Sequence, residues 1–388
     1  MSRTTNAVRV ATYEECARVL ADASERGQSV RIRGAGTKDY LGDSLDADIV
    51  LETGALSRIV AHVPADLTIT VAAGTPFATV QRALGEVGQR LALDPPHASH
   101  ATMGGIVAAN SSGFWRARYG GVRDQLIGST IALTDGSLAR SGGRVVKNVA
   151  GYDLNKLLIG SLGTLGAIVE CTFKVLPLPA ASDGVRATFT RPGDAFAAAD
   201  AVARTPARPV ALVVDGKARD KWHLYVQSDG DPAAVARTCE IAAAAASGTG
   251  TAERDGAVAD ALAPLRELPA AAVGAVVRAA LPPAAQPAFA HTATRVDGFA
   301  RLVADAASGI VRVHVTGVDD DLVAAADALL AAARVCGGSA RVERRPERLR
   351  ARVAAWGDGD LPGLFLMQRL KAAFDPSGVL APARGPVR

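Results

Sequence analysis

The sequence predicts an α+β protein with more than one domain. Its 388 residues exceed what one small hydrophobic core requires. Short strands with alternating apolar side chains are interspersed with helical patterns in the first half, and near residue 180 the composition changes to alanine-rich helical segments separated by short strands. These observations favour one domain over 1–180 and an α+β domain over 181–360. A C-terminal helix and tail, 361–388, are expected to return to the first domain.

Several elements are predicted for the first domain. Thr75 is a candidate helix cap and Pro76 suits a first helical turn, after which Phe77, Val80 and Leu84 fall on one face. The predicted elements, in chain order, are a helix over 8–27, strands over 29–33, 48–52 and 67–73, a helix over 76–88 and a strand over 169–175.

The second domain combines short strands with long helices. Strands are predicted over 210–215, 222–227, 273–279 and 310–316, and helices over 232–246, 287–307 and 321–335. This mixture predicts a four-stranded antiparallel sheet with helices on one side, a ferredoxin-like α+β cap. A last amphipathic helix over 364–374 precedes the turn Asp375-Pro376-Ser377-Gly378.

Composition argues against several classes of protein. The formal net charge is +4 and aromatic residues make up 4%, so we expect no basic stripe or stacking surface for nucleic acid. Glu14, Arg18 and Asp22 interrupt the first apolar stretch, which argues against a secretory signal, and no run reaches the length of a membrane span. The dispersed cysteines argue against zinc or an iron–sulfur cluster. We therefore expect a cytoplasmic protein, with any contact to the inner membrane made through partners.

Three glycine-rich segments are candidate ligand loops. In Arg33-Gly34-Ala35-Gly36-Thr37-Lys38, glycines would let backbone N–H groups converge on an anion. The segment is neither a Gly-x-Gly-x-x-Gly fingerprint, since Asp39 occupies the third glycine position, nor a nucleotide triphosphatase loop. A plain tight turn after an edge strand remains an alternative.

The other two glycine segments flank a lysine-containing string. Gly104 and Gly105, within 101–113, would allow a ligand to approach the backbone closely, or could instead open a close-packed helix. The third segment, 160–166, leads into a strand, unlike a Rossmann turn. Lys147 lies between them and could meet a substrate, although such a lysine is more often solvated or ion-paired than catalytic.

Five segments together resemble a known flavoprotein domain. In order and spacing they resemble the FAD domain of the vanillyl-alcohol oxidase and p-cresol methylhydroxylase family, over roughly residues 1–180. Within that family, the Lys147–Asp153 string, the third glycine segment and the chain length are most similar to the FAD-binding subunits of bacterial glycolate oxidases. The five segments are 33–38, 101–113, 120–136, 142–153 and 160–166.

The resemblance implies a fold and a cofactor site. It implies an FAD domain of two α+β subdomains that enclose the cofactor, and a cap over the isoalloxazine ring. The loop 33–38 would wrap the pyrophosphate, 101–113 would pass along it and the flavin, and 161–168 would complete the adenine and ribitol side. The residues expected to hold FAD are Arg33, Gly34, Ala35, Gly36, Thr37, Lys38, Ala101, Thr102, Met103, Gly104, Gly105, Ala108, Asn110, Ser111, Gly113, Ser161, Gly163, Thr164, Gly166 and Ile168.

Departures from the family pattern limit what is carried over. No histidine stands beside the first glycine loop, where many relatives attach FAD covalently, so we expect non-covalent FAD. His291 and His314 stand apart in the cap, so no metal site is expected. Ala381-Pro382-Ala383-Arg384 stands where relatives usually have Asn-Pro-Gly-Arg or Lys, which would remove an amide that could cap the last loop.

The implied function is flavin-dependent oxidation of a 2-hydroxy acid, glycolate to glyoxylate. The partners implied are a larger FAD-binding catalytic subunit and an iron–sulfur subunit that accepts electrons. A stand-alone FAD-dependent oxidase or dehydrogenase of another alcohol or hydroxy acid, and a non-catalytic assembly subunit, remain alternatives. A substrate carboxylate needs a cation, for which the cap offers Arg278, Arg312, Arg341 and Arg344. The sequence does not rank these arginines, and no catalytic residue is identified from it.

Overall fold

The computed structural model describes residues 6–43, 46–144, 152–248, 250–271, 273–357 and 361–387. The chain divides into two units, unit 1 (1–112, 120–178 and 359–388) and unit 2 (113–119 and 179–358). Helices and sheets occur in both units, which confirms the predicted α+β fold class.

Strands and helices alternate along most of the chain. The strands are β1 Asn6–Arg9, β2 Val30–Arg33, β3 Ile49–Glu52, β4 Ile59–Val63, β5 Thr68–Ala72, β6 Gln89–Arg90, β7 Leu126–Ala132, β8 Leu138–Gly142, β9 Ala167–Lys174, β10 Leu176–Pro177, β11 Ala181–Phe189, β12 Ala211–Ala218, β13 Lys221–Gly230, β14 Thr251–Arg254, β15 Ala275–Ala280, β16 Phe299–Asp305, β17 Ile310–Val315 and β18 Ser339–Arg344. The α-helices are α1 Tyr13–Glu25, α2 Phe77–Gly85, α3 Met103–Ala109, α4 Arg116–Tyr119, α5 Val122–Gln125, α6 Asn155–Leu158, α7 Pro192–Ala203, α8 Pro232–Ala246, α9 Val258–Arg266, α10 Leu268–Ala271, α11 Gln286–Ala293, α12 Asp319–Val335 and α13 Leu364–Phe374. None of the described helices is both long enough and apolar enough to cross a membrane.

Unit 1 contains two main sheets. A parallel sheet has the order β1-β3-β2, and an antiparallel sheet has the order β4-β5-β9-β7-β8. Buried side chains of α1, β2 and β3 form one core cluster, and those of α2, α3, β5 and β9 form another. Gly34, the residue after β2, lies against Thr102 at the start of α3 within the same unit.

The N-terminal helix is shorter than predicted. Residues over 8–27 were expected to form one helix, but β1 pairs in parallel with β3 and α1 begins only at Tyr13. Thr12 ends the extended segment because its hydroxyl accepts from the backbone N–H of Glu15, whose carboxylate accepts from Thr12 N–H in return. The capping box thus fixes the helix start that the apolar pattern alone placed too early.

The predicted cap of α2 is also wrong. Pro76, not Thr75, is the residue that precedes the helix, and no side chain caps it. The Thr75 hydroxyl instead donates to the Arg58 carbonyl at 3.1 Å and accepts from the Arg58 N–H at 3.0 Å. Because the Thr75 hydroxyl is hydrogen-bonded to the Arg58 backbone, it does not cap the N-terminus of α2.

The C-terminal segment belongs to unit 1 and lies beside β2. Backbone hydrogen bonds join Val30 to the carbonyl of Val379 and Ala381 to the carbonyl of Val30. Lys371 of α13 donates to the Asp375 carboxylate at 2.5 Å, to the Leu380 carbonyl at 2.7 Å and to the Thr164 carbonyl at 3.0 Å. One ammonium group therefore connects the last helix, the C-terminal turn and the third glycine segment.

The sheet of unit 2 is larger than predicted. It is antiparallel and has eight strands in the order β14-β11-β13-β12-β16-β17-β15-β18, so the predicted number of four strands is wrong. Each half of the sheet nevertheless has the β-α-β-β-α-β topology of a ferredoxin-like fold, with strand orders β14-β11-β13-β12 and β18-β15-β17-β16, which confirms the ferredoxin-like expectation. Two strands that were not predicted, β11 and β18, have polar and apolar residues in irregular alternation. They form strands because they are hydrogen-bonded to β13 and β15.

A third unpredicted strand, β16, lies inside the segment predicted as a helix over 287–307. The helix α11 stops at Ala293, and the chain turns at Gly298, whose φ of +73° is costly for other residues. A Cβ at Gly298 would lie 1.8 Å from the Thr316 carbonyl oxygen, so the turn also needs the small residue. The apolar periodicity of the alanine-rich segment did not reveal this break.

The two faces of the unit 2 sheet differ. One face is covered by α7, α8, α11 and α12, whose alanines and leucines pack on inward-facing strand residues such as Val277 and Val313. The opposite face carries a smaller apolar cluster that includes Phe114, Tyr225 and Val276. Polar and charged residues of alternate strand positions lie on this second face.

We predict that Lys371→Met destabilises unit 1. The substitution leaves the fully buried Asp375 side chain without its cation, and breaking a buried ion pair costs about 3 kcal/mol. Chemical denaturation should show a lower unfolding midpoint, while Arg369→Met, a change at an exposed position of the same helix, should leave it unaltered. Equal midpoints for the two variants would contradict the role assigned to Lys371.

Candidate cofactor-binding site

An open groove in unit 1 brings the three glycine segments together. Its empty space, together with the solvent at its mouth, amounts to about 650 Å³. Its walls come from the end of β2, the loop after it, α3, and the segment before β9. The lining residues are Ile32, Arg33, Gly34, Ala35, Gly36, Thr37, Lys38, Asp39, Thr53, Thr102, Gly104, Gly105, Ala108, Ala109, Leu162, Gly163, Gly166, Ile168 and Arg384.

The loop after β2 presents backbone donors to this groove. The N–H groups of Ala35, Gly36 and Thr37 donate to no other described residue, although all three residues line the groove. Gly36 has a φ of +72°, a left-handed conformation that glycine adopts without strain. Successive free N–H groups around such a residue form a concave anion site of the kind that holds phosphate oxygens.

Side chains at both ends of the loop hold it in place. The buried Lys38 ammonium donates to the Pro96 carbonyl at 2.9 Å, and the Arg384 guanidinium donates to the Lys38 carbonyl at 3.0 Å. Arg33 Nε lies 3.0 Å from the Asp39 carboxylate. In this structure Lys38 thus stabilises the loop through a backbone carbonyl.

Glycine at two positions permits the close packing of the groove walls. A Cβ at Gly34 would lie 2.2 Å from Thr102 Oγ1, and one at Gly104 would lie 2.7 Å from the Ala73 side chain. The first contact joins the loop to the start of α3, and the second joins α3 to the end of β5. The sequence left two roles open for Gly104, close approach of a ligand and close packing of a helix. Both apply, because α3 packs closely at this residue and also lines the groove.

The third glycine segment forms the far wall. Leu162 and Gly163 have left-handed φ values of +54° and +78°. The Thr164 hydroxyl donates to the Ser161 carbonyl at 2.7 Å, and the Thr164 carbonyl accepts from Lys371 at 3.0 Å. Two successive left-handed residues turn the chain so that Leu162, Gly163 and Gly166 reach the groove.

The structure separates the residues proposed from sequence into two groups. Of the predicted set, Arg33–Lys38, Thr102, Gly104, Gly105, Ala108, Gly163, Gly166 and Ile168 line the groove. Ala101, Met103, Asn110, Ser111, Ser161 and Thr164 lie outside its lining, and Gly113 belongs to unit 2.

The residues outside the lining have local structural roles. Ala101 and Met103 are buried in the apolar core, and Asn110 ends α3 in a left-handed conformation with a φ of +47°. Ser161 Oγ is buried and finds no hydrogen-bond partner among the described residues. This hydroxyl therefore keeps its hydrogen-bonding capacity next to a groove-lining segment.

Sequence reasoning missed several groove residues. Thr53 reaches the groove because β2 and β3 pair in parallel, so that its N–H donates to the Arg33 carbonyl at 2.9 Å. Arg384 reaches it because the C-terminal segment lies beside β2. No pattern in the neighbouring sequence predicts the contacts of Thr53 and Arg384. Leu162, in contrast, lies within the third glycine segment, which was predicted to line the site. The missed residues are Ile32, Asp39, Thr53, Ala109, Leu162 and Arg384.

Only Tyr152 and Asp153 of the Lys147–Asp153 string are among the described residues. Lys147 and the rest of 145–151 lie outside the described residues. Tyr152 is 93% exposed, and Asp153 pairs with Lys156 at 3.4 Å. Among the residues that are described, no group of three or more His, Cys, Asp or Glu side chains is arranged to hold a metal ion.

Comparison with known families identifies the class of unit 1. Residues 5–142 match the family described as FAD binding domain. The predicted resemblance of this part of the chain to the FAD domain of the vanillyl-alcohol oxidase and p-cresol methylhydroxylase family is therefore confirmed. FAD is the cofactor that this domain binds.

Two curated relatives are glycolate oxidase subunits. Subunit GlcE of Escherichia coli K12 is 42% identical over 156 residues, which cover 40% of this chain and 44% of that protein. Subunit GlcD of Bacillus subtilis is 35% identical over 167 residues, 43% of this chain and 36% of that protein.

A third relative is a lactate dehydrogenase. The mitochondrial D-lactate dehydrogenase [cytochrome] 1 of Saccharomyces cerevisiae is 32% identical over 195 residues, 48% of this chain and 32% of that protein. The matched region spans less than half the length of each of these three relatives.

Solved structures show the same fold at low sequence identity. p-Cresol methylhydroxylase superposes with a TM-score of 0.75 at 17% identity, covering 98% of this chain and 88% of that chain. Alkyldihydroxyacetonephosphate synthase gives a TM-score of 0.74 at 15% identity, covering 97% and 75%. These likenesses concern the fold alone.

The groove residues fit a dinucleotide. Free N–H groups at Ala35, Gly36 and Thr37 suit phosphate oxygens, and small residues at Gly105 and Ala108 leave the floor open to a flat ring. A Cβ at Gly105 would meet Thr102 Oγ1 at 3.0 Å and, apart from its chain neighbours and its own helix backbone, no other described atom within 4 Å, so the backbone of α3 can be approached closely here.

We predict that Gly105→Leu blocks the groove and leaves the fold intact. The Cβ contacts only the Thr102 hydroxyl, which must shift by a few tenths of an ångström, and leucine is a better helix former than glycine. FAD affinity, measured by titrating apoprotein with FAD, should fall at least about tenfold, equivalent to about 1.4 kcal/mol.

The matched control is Gly85→Leu at the exposed end of α2, where a Cβ meets no atom within 4 Å. It should bind FAD like the unmodified protein. Normal FAD binding by a folded Gly105→Leu variant would show that this groove is not the cofactor site.

Proposed function

We propose that the groove binds FAD non-covalently. The loop from Arg33 to Lys38 would bind the pyrophosphate through its backbone N–H groups, α3 would lie along the pyrophosphate and flavin, and the segment 161–168 would complete the adenine and ribitol side. The observation that carries this assignment is the set of three unpaired N–H groups in an FAD-binding domain.

We further propose that the chain is the FAD-binding subunit of a glycolate oxidase-type complex. Its similarity to two glycolate oxidase subunits supports this, as does the similarity to a D-lactate dehydrogenase. The reaction class is oxidation of a 2-hydroxy acid, in which the substrate loses two electrons and two protons to become a 2-oxo acid. Glycolate to glyoxylate is the proposed case.

A partner would receive the electrons. FAD, once bound, supplies the two-electron redox chemistry, and onward transfer of single electrons needs another carrier. Cys16, Cys171 and Cys239 are buried on separate elements, so they are not placed to ligate one iron–sulfur cluster. The proposed partners are therefore a larger FAD-binding catalytic subunit and an iron–sulfur subunit.

The chain's own residues would orient the cofactor and screen it from water. Apolar groove residues such as Ile32, Leu162 and Ile168 exclude solvent from one side of the groove, and the fixed loop donors hold the phosphates without a moving side chain. Lys38 and Arg384 would act as positioning residues, because the Lys38 ammonium joins the loop to the Pro96 carbonyl and Arg384 donates to the Lys38 carbonyl.

We predict that the purified chain carries flavin and that glycolate bleaches its visible absorbance only when the partner subunits are present. Anaerobic mixing of the chain with glycolate, alone and in the reconstituted complex, measures this. Full-rate turnover by the isolated chain would contradict the subunit assignment and favour the stand-alone oxidase. A folded, colourless chain would favour the assembly role.

We also predict that denaturation releases the flavin. No covalent bond to the chain is proposed, so FAD should pass through an ultrafiltration membrane after the protein unfolds in urea. Flavin fluorescence of filtrate and retentate is the measurement. Flavin that stays with the denatured chain would contradict non-covalent binding.

A further inference from the structure

A cavity in unit 2 lies between helix α7 and the segment that connects β15 to α11. Its empty space, together with the solvent at its mouth, amounts to about 1150 Å³. All of its lining residues belong to unit 2, on the side of the sheet that the helices cover, and none of them lines the cofactor groove. We call it the α7 cavity.

The walls of the α7 cavity are mainly apolar and are held in place. Phe196 and Leu212, which line it, are also buried in the helix-covered core. The Phe196 ring lies 6.5 Å from the ring of the fully buried Trp222, at an interplanar angle of 52°. Pro282 and Pro283 form part of another wall, where proline restricts the backbone. The cavity is therefore formed without a ligand and favours an apolar one.

Gln286, the first residue of α11, adds one unsatisfied acceptor to the lining. The residue is 1% exposed, and its Nε2 donates to the Ala306 carbonyl at 2.9 Å. Since a carbonyl only accepts, this bond fixes which amide atom faces Ala306 and leaves Oε1 for another partner. Oε1 is buried and has no hydrogen-bond partner among the described residues. A buried acceptor without a donor is costly, so a donor that enters the cavity would be bound there.

The lining does not favour a charged ligand or a lone water molecule. Asp200 and Arg204 are its charged residues, and they pair with each other at 2.7 Å while their side chains stay 60% and 78% exposed. A buried water molecule makes roughly two to four hydrogen bonds, which one amide among apolar side chains does not supply. The lining therefore suits an uncharged molecule that combines apolar surface with a single donor.

We propose that the α7 cavity binds a small uncharged molecule with an apolar ring system and one hydrogen-bond donor. The donor would bond to Gln286 Oε1, and the rings would pack on Phe196 and Leu212. This ligand is neither the cofactor nor the hydroxy acid. The site lies in unit 2 alone, so it stands whether or not the chain belongs to a glycolate oxidase-type complex.

The test compares indole with 1-methylindole, by calorimetric titration of the flavin-bound protein. The two compounds have the same apolar rings, but only indole has an N–H group to donate. Indole should bind the unmodified protein about fivefold more tightly, as one net hydrogen bond implies. Gln286→Met keeps a side chain of similar length and removes the acceptor, so it should bind the two compounds equally.

A second pair of variants locates the ligand. Ala197 is an exposed residue of α7 that lines the cavity, so Ala197→Trp should fill the cavity and weaken indole binding at least about tenfold. Ala201→Trp, on the same helix at a position outside the lining, should bind indole normally. Thermal unfolding without ligand checks that each variant is folded, and Ala197→Trp should unfold near the temperature of the unmodified protein because the residue is exposed.

Four results would each overturn the proposal. The first is an unmodified protein that does not bind indole, and the second is equal affinity of that protein for indole and 1-methylindole. The third is a preference for indole that persists in a folded Gln286→Met variant. The fourth is unchanged indole affinity in a folded Ala197→Trp variant, which would show that indole binds outside the α7 cavity.

Discussion

The loop after β2 depends on being held from outside itself. A loop whose N–H groups at Ala35, Gly36 and Thr37 have no internal acceptor gains little from its own hydrogen bonds. Lys38 and Arg384 supply the missing stabilisation by donating to carbonyl groups at the loop and beside it. These bonds leave the N–H groups of the loop available to a ligand. The anion site is therefore formed before a ligand binds, and contacts with distant parts of the chain stabilise it.

That dependence explains why the C-terminal segment belongs to unit 1. Arg384 can reach Lys38 only because residues 379–381 lie beside β2 and Lys371 holds the turn through Asp375. Ala381 and Ala383 have left-handed φ values of +42° and +57°, which cost an alanine about 1 kcal/mol or more each. The predicted loss of an amide at Ala381 is thus accompanied by backbone strain, which the bonds of Val30 and Arg384 offset.

Sequence reasoning located the parts of this arrangement that are local. Glycine segments indicate where the backbone must turn or approach another segment closely. The bounds predicted for α8 and α13 agree with the structure at both ends. Thr53 could not be predicted, because its place depends on the parallel pairing of β2 with β3. β16 could not be predicted either, since its strand state is created by hydrogen bonds to β12 and β17 within an alanine-rich segment. Both failures concern long-range pairing, on which apolar periodicity carries no information.

The two units differ in how their polar groups are satisfied. In unit 1 the unsatisfied groups are backbone N–H groups, whose geometry is fixed and whose charge is partial, so they suit phosphate oxygens. In unit 2, Arg278 lies opposite Arg312 and Arg341 on neighbouring strands, and such like charges repel. The buried Glu343 carboxylate offsets part of this repulsion, because it accepts from Arg312 at 2.7 Å and lies 3.5 Å from Arg341. The anion site of unit 1 is therefore left for a ligand, whereas the fold itself supplies an anion to these arginines of unit 2.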